Sequence, residues 1–452
     1  MDYTVLKKLG LDRLKIDPDN SYESFDPSTN NDTIFIHLIK TDTQMCPCCG
    51  VIRTHTNRGS KSQKIKYSCA IQDNIDIVWF RRQYRCKDCG RYFQEENPFS
   101  FENKSTSIFK EKNILEALKN ITATYKSVAL RFNVSDTYVQ NTFDKNVSLS
   151  RLPLPEVMCV DEVYSKKLSY HKYCFIVYNP IDRKVVDVMP SRHKDILSTY
   201  FSRISSEERG NVKYFSTDLY ETYRQLAQKY FYNAVICADP FHVIENLSNC
   251  LHNVRRHIMY EYAHNKKEND EFYWMLKDHW KLLTVPQHKL KTERYLNRRS
   301  GQYMSQSENV QFMLYISEDL RKAYDLYQDY LEFNSTSTLE NARERLDKLI
   351  DAYKASRIKQ YIPAWKMLEN WHDEIINSFS RVNGRRVTNG PMERANENIK
   401  TIFRLAYGAR NFDRMRNRIM FVMNSDSPTL YEPKKYTNKH KYHKRGHYNK
   451  NK

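Results

Sequence analysis

The chain has 452 residues, with 73 Lys and Arg against 54 Asp and Glu, for a formal net charge of +19. Its 10 Gly, 14 Pro, 40% hydrophobic and 13% aromatic residues exclude a collagenous or globally disordered chain, and the length excludes a small peptide-like scaffold. The charge is unevenly placed: 18 basic and 5 acidic residues lie between Arg381 and Lys452, which puts +13 of the total there. Lys and Arg that neutralise phosphates gain free energy from counterion release, so a polyanion partner is expected, with nucleic acid first among candidates.

The first ten residues, MDYTVLKKLG, contain no apolar stretch behind their charges, and no run of about 18 apolar residues occurs. Neither a secretion signal nor a membrane span is expected, and the cytosol is the expected compartment. The ten Cys are then read as thiols or metal ligands rather than as a disulfide framework. No repeat of 20 to 50 residues is present, and at about 150 residues per domain the length suggests several distinct modules.

The first module, residues 1–105, contains Cys46-Pro-Cys-Cys49-Gly50 and Cys86-Lys-Asp-Cys89-Gly90. Two residues between Cys let both sulfurs of a tight turn face one ion, and the following Gly permits the positive φ of that turn. Cys46, Cys49, Cys86 and Cys89 are therefore expected to hold structural Zn²⁺ in a zinc-ribbon-like module. An alternating run from Ile77 to Arg85 and the pair Tyr92-Phe93 suggest that a hairpin carries the second turn. Cys48 and Cys69 are spare thiols.

Residues 106–150 read as a helix-turn-helix DNA-binding domain. Val128, Ala129 and Phe132 form one apolar face, Asn133 suits a left-handed turn, and Ser135 can N-cap a second helix anchored by Val139. Asp136, Thr137, Tyr138, Gln140 and Asn141 would then be exposed toward a DNA major groove. A Pro-rich linker, Arg151 to Pro155, follows.

From residue 151 to 245 the pattern is α/β. Strands are expected at Val157–Val160 ending in Asp161, at Tyr173–Tyr178, at Lys184–Met189, at Val212–Thr217 ending in Asp218, and at Ala234–Ala238 ending in Asp239. Helices are expected near Asp195–Ile204 and Glu221–Phe231. The order βββαβαβ is that of an RNase H-like fold, in which acids ending the first and fourth strands lie side by side. Adjacent carboxylates repel each other and stay ionised together chiefly with divalent cations between them. Hard oxygen ligands suit two Mg²⁺ or Mn²⁺ ions, which promote in-line phosphoryl transfer.

Residues 246–386 are aromatic and helical in pattern, with Leu339, Ala342, Leu346, Leu349 and Tyr353 on one face after a capping box at Ser337 and Glu340. Trp274, Trp280, Trp365 and Trp371 are candidates to stack on an unpaired base, with core packing the competing role. Residues 387–425 carry a final helix on which Glu393, Asn396, Glu397 and Lys400 share a face. The tail, 426–452, is strongly basic.

Taken together, Cys159-Val-Asp161-Glu-Val-Tyr164, Ser216-Thr-Asp218-Leu-Tyr220, Asp239-Pro-Phe-His242-Val-Ile244 and Asn389-Gly-Pro-Met-Glu393-Arg-Ala-Asn396-Glu-Asn-Ile-Lys400 resemble the DDE transposases of bacterial insertion sequences, specifically the ISL-three family. The resemblance spans nearly the whole chain, including the Cys pairs, the helix-turn-helix and the later Arg404 and Tyr407-Gly408. Arg394 stands where many relatives carry a small residue.

The resemblance implies a multidomain α/β protein whose RNase H-like catalytic core, a mixed five-stranded sheet with helices, is interrupted by an all-α insertion. It implies Asp161, Asp218 and Glu393 as the metal-binding acids, with Asp239, His242, Asn396 and Lys400 in support and Arg404 and Arg410 on DNA. The residues alone leave Asp218 against Asp239, and Glu393 against Glu397, open. The implied activity is binding of terminal inverted repeats, phosphodiester hydrolysis and strand transfer into target DNA, carried out by a homodimer or larger synaptic assembly. A catalytically silent DNA-binding protein, or an RNase H-like nuclease without strand transfer, would share most of these features.

Overall fold

The alternating run that begins at Ile75 forms the central strand of the N-terminal region, burying Ile75, Ile77 and Trp79. The computed structural model describes residues 3–27, 31–68, 74–100, 104–165, 172–263, 270–297, 301–406 and 411–425. It divides into two units, Met1–Ser148 and Leu149–Asn424.

The first unit opens with α1 (Tyr3–Lys8), β1 (Tyr22–Asp26), β2 (Asn31–Ile36), β3 (Gln44–Met45) and β4 (Ile52–Arg53), and continues with β5 (Thr56–Tyr67), β6 (Ile75–Arg85) and β7 (Tyr92–Gln94). Its main sheet runs β1-β2-β6-β5, with β7 also on β6. This is more than the hairpin the sequence suggested. The long gap between the Cys pairs holds β5 and all of β6, paired antiparallel, and β2 joins β6 in parallel. Ile34, Ile36, Ile65, Tyr67 and Phe99 close its core.

Three helices complete this unit: α2 (Ile108–Ala117), α3 (Tyr125–Phe132) and α4 (Asp136–Asn146). Val128, Ala129, Phe132 and Val139 are buried, Asn133 adopts φ 49°, and the Ser135 hydroxyl accepts the Tyr138 N–H at 3.1 Å. A reciprocal capping pair, Thr124 with Ser127, starts α3.

The second unit is built on β8 (Val157–Tyr164), β9 (Tyr173–Asn179), β10 (Lys184–Met189), β11 (Tyr214–Thr217) and β12 (Val235–Ala238). Their order is β10-β9-β8-β11-β12. The first three pair antiparallel and the last three parallel. With α5 (Lys194–Ser202), α6 (Ser206–Gly210) and α7 (Glu221–Tyr230), this mixed α/β arrangement fits an RNase H-like core. Strand β9 reads YCFIVYN and is buried along its centre, as expected of a strand covered on both faces. One expectation shifts: β8 continues to Tyr164, so Asp161 lies within the strand rather than at its end.

Beyond β12 the chain is mainly helical: α8 (Pro240–Ala263), α9 (Asp270–Asp278), α10 (Gln306–Ile316), α11 (Glu318–Thr336), α12 (Ala342–Ala355), α13 (Ile362–Asn370) and α14 (His372–Asn377). Two short antiparallel ribbons, Tyr295–Leu296 with Tyr303–Met304 and Arg381–Val382 with Arg385–Arg386, interrupt it, so residues 246–386 are not all-α as expected. These helices share one core, in which the buried phenols of Tyr353 and Tyr361 donate to the Leu326 and Ala323 carbonyls. The capping box proposed at Ser337 and Glu340 is not formed. Ser337 ends α11, its N–H going to the Phe333 carbonyl rather than to Glu340, α12 starts at Ala342 behind Asn341, Leu339 is 45% exposed, and the Thr338 N–H goes to the Asn341 side chain. Ala342, Leu346, Leu349 and Tyr353 are buried.

The last helices, α15 (Gly390–Leu405) and α16 (Phe412–Met423), return to the sheet. Half-buried Arg386 fixes the approach to α15 by donating to Ser378 and Asn334 and stacking 3.8 Å from the Phe379 ring. Helix α16 covers the edge strand β10, whose Val185 N–H and carbonyl are both satisfied by the Asn424 amide. No helix among the described residues is long and apolar enough to cross a membrane.

Candidate active site

Strand register brings three aspartates level. Ser216 of β11 pairs with Cys159 of β8 and with Cys237 of β12. Two residues further along each strand line stand Asp218, Asp161 and Asp239, on neighbouring strands spaced about 4.8 Å apart. Hydrophobic strands separated by tens of residues thus bring together carboxyls that are remote in sequence.

Helix α15 crosses this row. Its preceding residue, Asn389, donates its backbone N–H to Asp239 Oδ1 at 3.2 Å and its side-chain amide to the Val160 carbonyl at 3.3 Å. Two turns on, Asn396 Nδ2 donates to Asp161 Oδ2 at 2.7 Å. Glu393 lies four residues after Asn389 and three before Asn396, so the helical repeat puts it on the same face. Lys400 turns instead to Glu397, at 2.8 Å.

Electrostatics separate the rival acids. Burial pushes the Asp218 carboxyl up to about 7, and the charges of Asp161 and Glu162 add to the shift. Asp161 and Asp239 are raised chiefly by burial. Glu393 is raised by burial and then by Asp239, whereas Lys400 holds Glu397 below the usual carboxylate range. The charge of His242 opposes the rise at all four raised acids, and its Nε2 stands 4.0 Å from Asp239 Oδ2.

Three buried oxygens here, Asp239 Oδ2, Asn389 Oδ1 and Asn396 Oδ1, make no hydrogen bond. Unsatisfied oxygen lone pairs among mutually repelling carboxyls are a donor set that suits a hard divalent cation. Among the described residues, these acids do not bring three ligand oxygens within 4.8 Å of one another.

The four cysteines of the first unit do converge: the sulfurs of Cys46, Cys49, Cys86 and Cys89 all lie within 4.8 Å of one another. Cys46 Sγ is 3.7 Å from Cys89 Sγ, and Cys49 Sγ is 3.7 Å from Cys86 Sγ. Gly50 and Gly90 take φ values of 73° and 71°, as their turns require. The Cys49 N–H lowers Cys46 to about 7, the first of several backbone and side-chain hydrogen bonds to it. At Cys89 the Arg91 N–H pulls downward, but burial and the neighbouring thiols prevail and push it up to about 12. Four thiolates cannot ionise together here without a cation.

On α4, Asp136, Thr137 and Asn141 are exposed and Gln140 is half-buried. Tyr138 differs from its expected exposure: its phenol donates to Glu111 Oε1 at 3.0 Å, which turns the ring toward α2. Arg404 donates to Thr401 Oγ1 at 3.1 Å, one turn back on α15. Of the tryptophans, Trp371 is buried with the Arg224 guanidinium 4.4 Å from its ring centre, whereas Trp280 is 38% exposed. Arg410, Tyr407, Gly408, Cys69 and the basic tail lie outside the described residues.

Two features were missed by the sequence reading. Glu162, next to Asp161, accepts from both Arg192 and the Tyr223 phenol, and the Arg192 guanidinium sits 4.4 Å from the Tyr173 ring centre. No spacing links residues 162, 192 and 223, although a charged residue inside an apolar strand was a usable signal. Likewise, buried His55 accepts the Lys87 N–H at 3.4 Å and belongs to a second cluster with Cys86 and Asp88.

Residues 158–419 match the family described as "Transposase", the ISL-three group of DDE transposases. The transposase for insertion sequence element IS1557 of Mycobacterium tuberculosis, in strains CDC 1551 / Oshkosh and ATCC 25618 / H37Rv, is 20% identical over 280 residues. That similarity covers 60% of this chain and 61% of each relative, so the chain spans about three-fifths of the length of the curated relatives it matches.

Proposed function

This chain belongs to the ISL-three family of DDE transposases, and on that premise we propose that it is an insertion-sequence transposase that cuts and joins DNA at the ends of its element. The observation that carries the reading is the row of Asp161, Asp218 and Asp239 on three adjacent strands, crossed by the helix face bearing Glu393.

Asp161, Asp218 and Glu393 would hold Mg²⁺ or Mn²⁺. Ions bound there would activate the attacking hydroxyl and stabilise the leaving oxygen during hydrolysis and during strand transfer. The protein's own part is positioning. Asn396 fixes the Asp161 carboxyl, and Asp239, by accepting the Asn389 N–H, fixes the start of the helix that carries Glu393. His242 adds a neighbouring polar group that favours the ionised acids. The pairing of Glu397 with Lys400 supports Glu393 as the third acid.

In this reading Cys46, Cys49, Cys86 and Cys89 bind structural Zn²⁺, supported by the convergence of their sulfurs. Helices α3 and α4 serve as the helix-turn-helix that binds the terminal inverted repeats, with Thr137, Gln140 and Asn141 toward the bases. The helices from residue 246 to 386 form the insertion domain, and the working form is a homodimer or larger, because two DNA ends must meet.

The test is cleavage and joining of a labelled duplex that carries the element's end, with and without Mg²⁺, with binding measured in parallel. Asp161→Asn, Asp218→Asn and Glu393→Gln should bind as the native chain does and lose on the order of 10³-fold or more in both reactions, since each removes a charge from the reacting centre. An inactive Asp239→Asn beside an active Asp218→Asn would move the second acid. A native chain that binds specifically and never cuts with any divalent cation would refute the enzyme reading.

A further inference from the structure

The two faces of strand β8 differ in character. Cys159 and Asp161 turn toward the last helices: the Cys159 thiol donates to the Thr388 carbonyl at 3.6 Å, and Asp161 Oδ2 accepts from Asn396. Met158 and Val160 turn the other way, into the core shared with Phe175 of β9 and Tyr223 of α7. By the alternation of a strand, Glu162 continues that second, apolar row.

A carboxylate at the rim of a core is costly unless it is paired, and Glu162 is paired twice. Its Oε2 accepts the Tyr223 phenol at 2.5 Å, and its Oε1 accepts from Arg192, two residues before α5. The Arg192 guanidinium is held in turn by two rings, 4.4 Å from the centre of Tyr173 and 5.4 Å from that of Tyr220. The Tyr220 ring packs edge-on against Tyr223 at 4.9 Å.

These contacts converge on the segment that follows β11. Asp218 opens it, Tyr220 precedes α7, and Tyr223 lies in the first turn of that helix. Both tyrosines are tied to Glu162, one directly and one through Arg192, and Glu162 is the chain neighbour of Asp161. The segment carrying one acid is thus fastened to the strand carrying the other, on the sheet face opposite α15. A leucine would fill the position without bringing a third negative charge close to Asp218. What it would lack is two oxygens to take the Tyr223 and Arg192 donors at once.

We propose that Glu162, Arg192 and Tyr223 are positioning residues that set the separation of Asp161 and Asp218 for divalent ions. The proposal rests on the reading of those two acids as metal-binding given above. Asn396 braces Asp161 from one face of the sheet, and the Glu162 network braces Asp218 from the other.

The experiment measures two responses of the full chain to Mg²⁺: the rise in melting temperature without DNA, and the concentration that half-saturates cleavage of element-end DNA. The native chain is compared with Tyr223→Phe, Glu162→Gln, Arg192→Met and Arg192→Lys. Tyr223→Phe and Glu162→Gln should raise the half-saturating concentration by about 10- to 100-fold, the usual effect of losing a group that orients a ligand, and should shrink the rise in melting temperature. Arg192→Met should do the same. Arg192→Lys should recover part of the loss, because Lys keeps a charge beside Glu162 but cannot lie flat between two rings. Variants that melt lower without metal yet keep both native responses would reduce the network to a structural one and overturn the proposal. A native chain that responds in neither way would overturn the metal reading of the acids, and this proposal with it. If Tyr223→Phe and Glu162→Gln fail to fold, half-exposed Arg192 carries the test through its two variants, and native responses in both would overturn the proposal.

Discussion

The two candidate metal centres of this protein are assembled in opposite ways. The four cysteines come from two tight turns, each closed locally by a glycine, and their sulfurs already stand together. The acids come from three strands and a helix spread over more than 230 positions, and they remain spaced, raised in pKa and braced by asparagines. The difference follows from chemistry. Two turns converge soft ligands cheaply because each turn is satisfied by its own amides, whereas clustered carboxylates oppose one another until a cation arrives.

If that contrast holds, the largest effect should come from breaking the cysteine centre. Cys86→Ser should remove zinc from the chain and destabilise residues 1–148 by several kcal/mol, on the scale of structural zinc binding. Metal analysis and limited proteolysis would check this, and the expected result is a protease-sensitive N-terminal unit beside a resistant 149–424 core. Zinc retained at the native level by the variant would end the comparison.

A smaller effect is expected from loosening the acids. Asn396→Ala removes the donor to Asp161 Oδ2 and should lower cleavage by about 10- to 100-fold, the usual range for a group that orients a ligand, with little change in melting temperature. Excess Mn²⁺ should restore part of the loss. A variant as active as native would show that Asp161 needs no such support.

The finest test uses pH. Burial first, and then Asp161 and Glu162, raise the Asp218 carboxyl to about 7, so the native state keeps a proton that the unfolded chain has already lost. The unfolded chain binds fewer protons in that interval, so the core should lose stability as pH rises from about 4 to about 7. With solvent screening, the total loss should be about 1–2 kcal/mol, below the roughly 4 kcal/mol that about 1.4 kcal/mol per pH unit would give across that interval. Melting in buffer without added divalent ions or chelator would measure it, and Asp218→Asn should flatten the slope. A slope that survives the substitution belongs to another group.

Much of this was legible in the sequence because it is local. The CxxCG turns, the left-handed Asn133 and the Ser135 cap depend on a few adjacent residues, and the structure forms each of them. The strands that carry the aspartates were also legible, within a residue or two, from short apolar runs ending near acids. Local signals failed where another partner competed. Ser337 and Glu340 had a capping-box spacing, yet the Ser337 N–H goes back to the Phe333 carbonyl and ends the preceding helix. Tyr138 sat on the predicted groove face, yet Glu111, 27 residues earlier, drew its phenol inward.

The sequence by itself therefore determined which residue types are present, the turns that hold the cysteines, and the strands that carry the aspartates. Only the tertiary structure decided that Asp161, Asp218 and Asp239 stand level, that Asn389 and Asn396 bring the Glu393 face across them, and that Arg192 and Tyr223 meet at Glu162. The physical reason is range: a turn is closed by its neighbours, whereas strand register, helix crossing and the pooling of charge depend on packing among segments that the chain order does not place together.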